Sequence, residues 1–176
     1  MLPKYKYLLT YRYSVVVHDL TDEFCKGYIS KFSRTYDQMI QGARSGKQCI
    51  VEAVGQSDTS KKGEIKLLGV SKGSIEELIT DFEDFLRQRK LAIWSKTDPR
   101  IRKFRDFGIV ATKLNSPKLL KLPNDPTEAA NLLLTLCHQL TYLLDRQINA
   151  LVEKFARDGG FTENLLKKRL SNRLPR

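Results

Sequence analysis

Apolar residues return at three- and four-residue steps along most of this chain, the spacing that places them on one face of a helix. From about Thr10 to Phe32 the stripe is Tyr13, Val16, Val17, Leu20, Phe24, Tyr28 and Phe32, opposite Arg12, Asp19, Asp22, Glu23 and Lys26. Ser33 or Thr35 then offers a cap for a second helix, with Asp37 well placed near its positive end. That helix carries Tyr36, Ile40, Ala43, Ile50 and Val54 on one face. "GQSDTSKK" is a break, with Gly55 as a stop and Asp58, Thr59 or Ser60 as the next cap. A third helix is predicted from about Ser60 to Arg89, striped by Ile65, Leu68, Ile75, Leu78, Ile79, Phe82, Phe85 and Leu86.

The pattern changes between Leu91 and Asp125, which are rich in proline and polar residues. "DPRIRKFRDFG" predicts a short helix, with Asp98 as cap, Pro99 in its first position and Gly108 as its stop. "SPKLLKLPNDP" reads as extended chain. Asp125, Pro126 and Glu128 then start a fourth long helix through a capping box. Leu132, Leu133, Leu136, Leu140, Leu143, Leu144, Ile148, Leu151, Val152 and Phe155 stripe it until "DGG" ends it at 158–160. Thr162 is placed to cap a last helix, "ENLLKKRLSNRL".

These elements predict an all-α fold: an antiparallel, up-and-down four-helix bundle with a short connector helix and a short C-terminal helix. It reads as one domain. Residues 1–92 hold the first three helices, 93–124 the connector, and 125–176 the fourth helix and a basic C-terminal helix. Small residues on helices two and three (Ala43, Gly46, Ala53, Gly55, Gly63, Gly69 and Gly73) are expected to line a tight seam, because each interior glycine otherwise costs about 1 kcal/mol relative to alanine.

Charge adds what periodicity cannot. The chain has 31 Lys and Arg against 20 Asp and Glu, a formal net charge of +11. An excess of that size favours a polyanionic partner. The cations cluster: Arg44 and Lys47 on helix two, Lys61, Lys62 and Lys66 opening helix three, Arg100, Arg102, Lys103 and Arg105 on the connector helix. Lys167, Lys168 and Arg169, followed by Arg173 and Arg176, load the C-terminus. Such groups suit phosphate contact through charge and counterion release. Trp94, Phe104 and Phe107 are the aromatics beside them, and they serve equally well as core. No base-reading motif is visible, so contact with the nucleic-acid backbone is expected.

Other chemistry finds less to build on. "GARSGKQ" has three residues between Gly42 and Gly46, and Gln48 follows Lys47, so it departs from the phosphate-loop pattern. The acid pairs Glu76–Glu77 and Glu83–Asp84 point about 100° apart on a helix and read as solvated. Cys25, Cys49 and Cys137 are expected to be buried thiols, and His138 a packing histidine. No metal-ligand spacing occurs, and neither a cofactor nor an enzymatic activity is expected. No apolar run reaches membrane-spanning length, and Lys, Arg and Tyr interrupt the N-terminus too often for a signal peptide. The expectation is a cytoplasmic protein with no membrane partner.

"SGKQCIVEAVGQSDTSKKGEIKLLGVSKGSIEELITDFEDFL" resembles the four-helix-bundle family of proteins encoded in 23S rRNA intervening sequences. That family includes the accessory variability determinant of diversity-generating retroelements. Ile50 and Glu52 fit the family's Asn-Ile-Ala-Glu-Gly pattern, while Cys49 stands at its Asn and Ala53 at its Gly. Ser74, Ile75 and Glu77 fit the later Ser-Leu-x-Glu. "FLRQRKLAIW" and "CHQLTYLLDRQINALVEKFARDGGFTENLLKKRL" resemble the longer subfamily with a four-helix-bundle suffix region. The resemblance implies a homo-oligomer, a pentamer, with a basic surface for nucleic acid and, in the retroelement branch, a reverse transcriptase partner. The alternative from charge alone is a scaffold for an acidic protein, with no nucleic acid.

Overall fold

The computed structural model describes residues 2–113 and 121–172. Among them are six α-helices and one short 3-10 turn, Lys4–Tyr7. The helices are α1 (Leu9–Tyr28), α2 (Arg34–Gln56), α3 (Lys61–Gln88), α4 (Pro99–Ala111), α5 (Pro126–Asp158) and α6 (Phe161–Ser171). The described fold is all-α, as the periodicity predicts. Part of the "SPKLLKLPNDP" segment, together with Arg173 and Arg176, lies outside the described residues.

Four long helices close a ring: α1 lies against α2, α2 against α3, α3 against α5, and α5 against α1. Contacts along three of these pairs run in opposite senses. On α2 and α3, Ser45 meets Ser74 at 3.2 Å, and the Gly46 carbonyl accepts a 2.7 Å bond from Ser71. On α3 and α5, Lys72 pairs with Asp145 at 2.7 Å, while Lys62, nearer the start of α3, lies 6.0 Å from the Phe155 ring. Between α1 and α5, Thr10 Oγ1 donates to Gln147 at 2.8 Å, and the Tyr28 hydroxyl reaches the carbonyl of Asn124, just before α5, at 2.8 Å.

One continuous core fills the ring. Val17, Phe24, Met39, Ile50, Leu68, Ile75, Phe82, Leu133, Leu136 and Leu140 are its fully buried apolar centre. Phe24 is the aromatic hub, edge-on to Phe82 at 5.1 Å and to Phe85 at 4.8 Å, a geometry that suits the ring quadrupoles. Beyond Leu144 the stripe of α5 is only half-buried, and Val152 is exposed.

Capping follows the predicted side chains at four starts. Ser33 accepts from Thr35 N, Ser60 from Gly63 N, Asp98 from Arg100 N and Asp125 from Glu128 N. Four other expectations are corrected. Helix α1 ends at Tyr28, because Ile29 turns extended to let Ser33 cap α2, and Phe32 stands fully in solvent. Gly108 does not stop the connector helix but lies buried inside it. There it lets α4 approach α5: a Cβ would meet Leu136 Cδ2 and the Tyr13 hydroxyl at 3.0 Å. Thr162 does not cap α6. Gly160 does, with the Glu163 carboxylate reaching back to its N–H, after Gly159 (φ 72°) has ended α5.

The seam between α2 and α3 is the fourth correction. Ala43, Gly46 and Ala53 are buried, and a Cβ on Gly46 would lie 2.5 Å from Ile75 Cδ1. Gly46 meets Ser71 and Ile75, and Ser74 meets Gly42 and Ser45. Gly55, Gly69 and Gly73 face open space, whereas a Cβ on Gly63 would meet the side chains of Gln56, the last residue of α2, and of the Ser60 cap.

Candidate nucleic-acid interface

The bundle separates the predicted cations into two patches and a few isolated residues. The first patch sits where α3 begins and α6 follows α5. Lys61 is tied to Glu64 at 3.0 Å, and Lys62 lies over the Phe155 ring. Both line a hollow of about 310 Å³ with Gly160, Phe161 and Glu163. This brings the start of α3 beside the start of α6, which displays Lys167, Lys168 and Arg169 with no buried residue of its own. Lys66 is exposed on the next turn of α3.

The second patch is the outer face of α4. Ile101 and Phe104 turn inward, leaving Arg102, Lys103 and Arg105 in solvent. Arg100 is engaged differently. Its Nε and NH2 bond both Asp98 oxygens at 2.9 and 2.7 Å, and its guanidinium lies 3.5 Å from the Trp94 ring centroid. On the ring's other neighbour, Phe104 stacks at 5.8 Å. The Arg100 bonds hold the Asp98 carboxyl down, at about 2, below the ordinary carboxylate range. Arg100 therefore fastens the start of α4 as well as adding charge. Arg12 fastens the other end, donating to the Thr112 carbonyl at 2.7 Å.

The two patches do not merge. Arg105 neighbours Gln139 on α5 and Lys62 neighbours Phe155. Sixteen residues of helix separate those two points, roughly 24 Å at 1.5 Å per residue. Arg44 and Lys47 stand apart again, midway along α2. Arg44 is exposed, while Lys47 is half-buried with its Nζ 3.1 Å from His18 Nδ1. The same ring nitrogen lies 3.3 Å from Asp19 Oδ1.

A cleft beside the second patch was not legible in the sequence. Trp94, Ile101 and Leu134 form apolar walls, and Lys96, Arg105 and Tyr142 stand around it, enclosing about 670 Å³. Asn131 builds one wall. Buried in the apolar run of α5, it accepts from Trp94 N at 2.8 Å and donates to the Ala92 and Thr127 carbonyls at 2.9 and 2.8 Å. It thereby pins the extended chain after α3. The signal available was a lone amide inside "AANLLL". His138 is not the packing histidine expected: it is exposed on the cleft. Desolvation by the walls lowers its pKa, Glu83 opposes that shift, and Lys96 reinforces it.

The remaining groups are structural. Cys25, Cys49 and Cys137 are free and buried. Burial, aided by Asp22 and Asp81, pushes the Cys25 thiol up to about 12, and burial alone pushes Cys137 up. Among the described residues, no cluster of His, Cys, Asp and Glu could hold a metal ion, and no helix is long and apolar enough to cross a membrane. No protein-family model matches the chain, and neither characterised proteins nor solved structures give a match.

Proposed function

We propose that this protein is a non-enzymatic helical bundle that binds the phosphate backbone of RNA or DNA. The observation that supports this most is the display of cations. With a net charge of +11, Arg102, Lys103 and Arg105 line one open helix face, and Lys167, Lys168 and Arg169 another. Backbone contact of this kind releases counterions and weakens steeply with salt. Titration against duplex DNA and structured RNA tests it: binding at about 50 mM salt that falls by two to three orders of magnitude by 200 mM is expected for about five phosphate contacts. Failure to bind at low salt refutes it.

Self-association belongs to the same proposal, since copies side by side would join patches that one copy keeps apart. The family likeness makes that assembly a pentamer and offers a reverse transcriptase as its client. A scattering mass near the monomer's 20.3 kDa would refute the assembly.

A second reading has its own support. Phe161, Leu165, Leu166 and Leu170 on α6 are each at least 44% exposed, which favours a protein contact over a purely ionic one. In that case α6 meets an acidic protein. Recovery of the partner after nuclease treatment separates the readings, because a nucleic-acid bridge would be lost.

A further inference from the structure

Backbone binding leaves the cleft between α3, α4 and α5 without a task. Two of its internal polar residues are already engaged, while the buried Gln139 Oε1 has no partner among the described residues. Asn131 makes three hydrogen bonds, and the Thr135 hydroxyl donates to the Asn131 carbonyl at 2.8 Å. The Trp94 indole is already in contact with Arg100 and stacked with Phe104. What remains open to a ligand is an apolar pocket edged by Ile93 and Tyr142, 53% and 60% exposed, with His138 beside them. Lys96 and Arg105 stand at the same cleft, and neither enters an ion pair among the described residues. Glu83 is the one acid there, so the charge around the pocket is net positive.

Flat apolar surface with an available phenol ring and two unpaired cations calls for a planar body carrying negative charge. A volume of about 670 Å³ is ample for a base with its sugar. The cleft also borders the open face of α4, where Arg102 and Lys103 continue the positive charge. A strand following that face would pass the mouth of the pocket. Resting on the backbone-binding reading, we propose that the cleft takes one unpaired nucleotide. Its base lies against Tyr142 and Ile93, and its phosphate lies between Lys96 and Arg105. The consequence is a preference for single-stranded or bulged nucleic acid over an intact duplex, whose bases are not free to enter.

Trp94 is the chain's only tryptophan, so its emission reports on this cleft alone. The full-length protein is titrated with a single-stranded oligonucleotide, the matching duplex, and the same strand carrying abasic sites. The base-bearing strand should change Trp94 emission and bind about five-fold or more tighter than the abasic one, the worth of a stacked base. Y142A should bind the two strands alike, and R105A should weaken the base-bearing strand. The R105A backbone contact is retained, because Gln139 bonds the carbonyl of residue 105 and not its side chain. A free nucleoside monophosphate that shifts the emission and competes with the strand supports the same chemistry from a metabolite source. Equal binding of normal and abasic strands with silent Trp94 overturns the cleft assignment and leaves backbone binding standing. An alkyl carboxylate that shifts the emission where nucleotides do not also overturns it. No binding of any nucleic acid at low salt refutes both.

Discussion

Asn131→Ala tests whether one buried amide holds the wall of the cleft. Asn131 is 1% exposed and ties α5 to the chain at Ala92 and Trp94 through two hydrogen bonds of 2.9 and 2.8 Å. Its third bond, to the Thr127 carbonyl, stays within α5. A net hydrogen bond is worth about 1 kcal/mol, so the two bonds between segments amount to about 2 kcal/mol. Ala92 is exposed and Trp94 half-buried, so water reaches the orphaned groups and the full desolvation penalty does not apply. For a chain of this length, a loss of about 2 kcal/mol lowers the melting temperature by about 4–8 °C. Circular dichroism reads that change, and a red-shifted Trp94 emission reads release of the wall. Asn131→Asp sharpens the test. The carboxylate keeps an acceptor for Trp94 N but faces two carbonyl oxygens without a donor, so its folded pKa rises above the unfolded value. The contribution of this residue to stability is therefore greatest below about pH 4, where the acid is protonated in both states, and is lost as pH rises through the folded pKa. An N131A midpoint within 1 °C of wild type and unchanged emission would refute the reasoning, the 1 °C bound being about a quarter of the smallest expected shift.

Other outcomes follow from the same structure. Gly46→Leu should destabilise by about 2 kcal/mol or more, since even a methyl collides with buried Ile75, whereas Gly69→Ala, in open space, should stabilise by a few tenths up to about 1 kcal/mol; denaturant titration compares them. The Asp98 carboxyl, held at about 2 in the fold, gives a contribution present above the ordinary value and lost as pH falls toward 2; Asp98→Asn should remove that component from an acid titration followed by helix content. A thiol reagent at neutral pH should label none of the three cysteines in the native protein and all three in denaturant; rapid native labelling of Cys25 would contradict its burial. Ending the chain at Asp158 should leave the melting temperature within about 2 °C, because no residue of α6 is itself buried, while weakening nucleic-acid binding and flattening its salt dependence.

Elements were legible where one physical rule acts alone. Asp125 followed by Pro126, and Ser60 before Lys61, fix helix starts through local bonds, and the stripe of α3 is buried nearly as drawn, with Ile65 the half-buried exception. Failures fell where a rule has two uses. Glycine inside α4 resembles a stop, but at Gly108 it is a contact surface for α5, which only the tertiary arrangement reveals. Glycines on α3 fit a seam by composition, yet the seam is built by Ser71 and Ile75, because rotation about the helix axis decides which residues face α2. Charge clusters were visible as clusters. Their grouping was not, since α3 and α6 are remote in sequence, and neither was the cleft, whose walls come from three helices and one extended strand of chain.

The placement of α5 bears on how the molecule is made. It closes the ring against both α1 and α3, yet it enters the sequence only at Pro126, after the first three helices and the whole connector. A nascent chain can pair α1 with α2 and α2 with α3 through short turns, at little entropic cost. The side of that three-helix intermediate destined for Leu133, Leu136 and Leu140 stays wet until translation has passed α4. During that interval the protein is most exposed to aggregation and to chaperone capture, and a slowed ribosome near the connector would lengthen it.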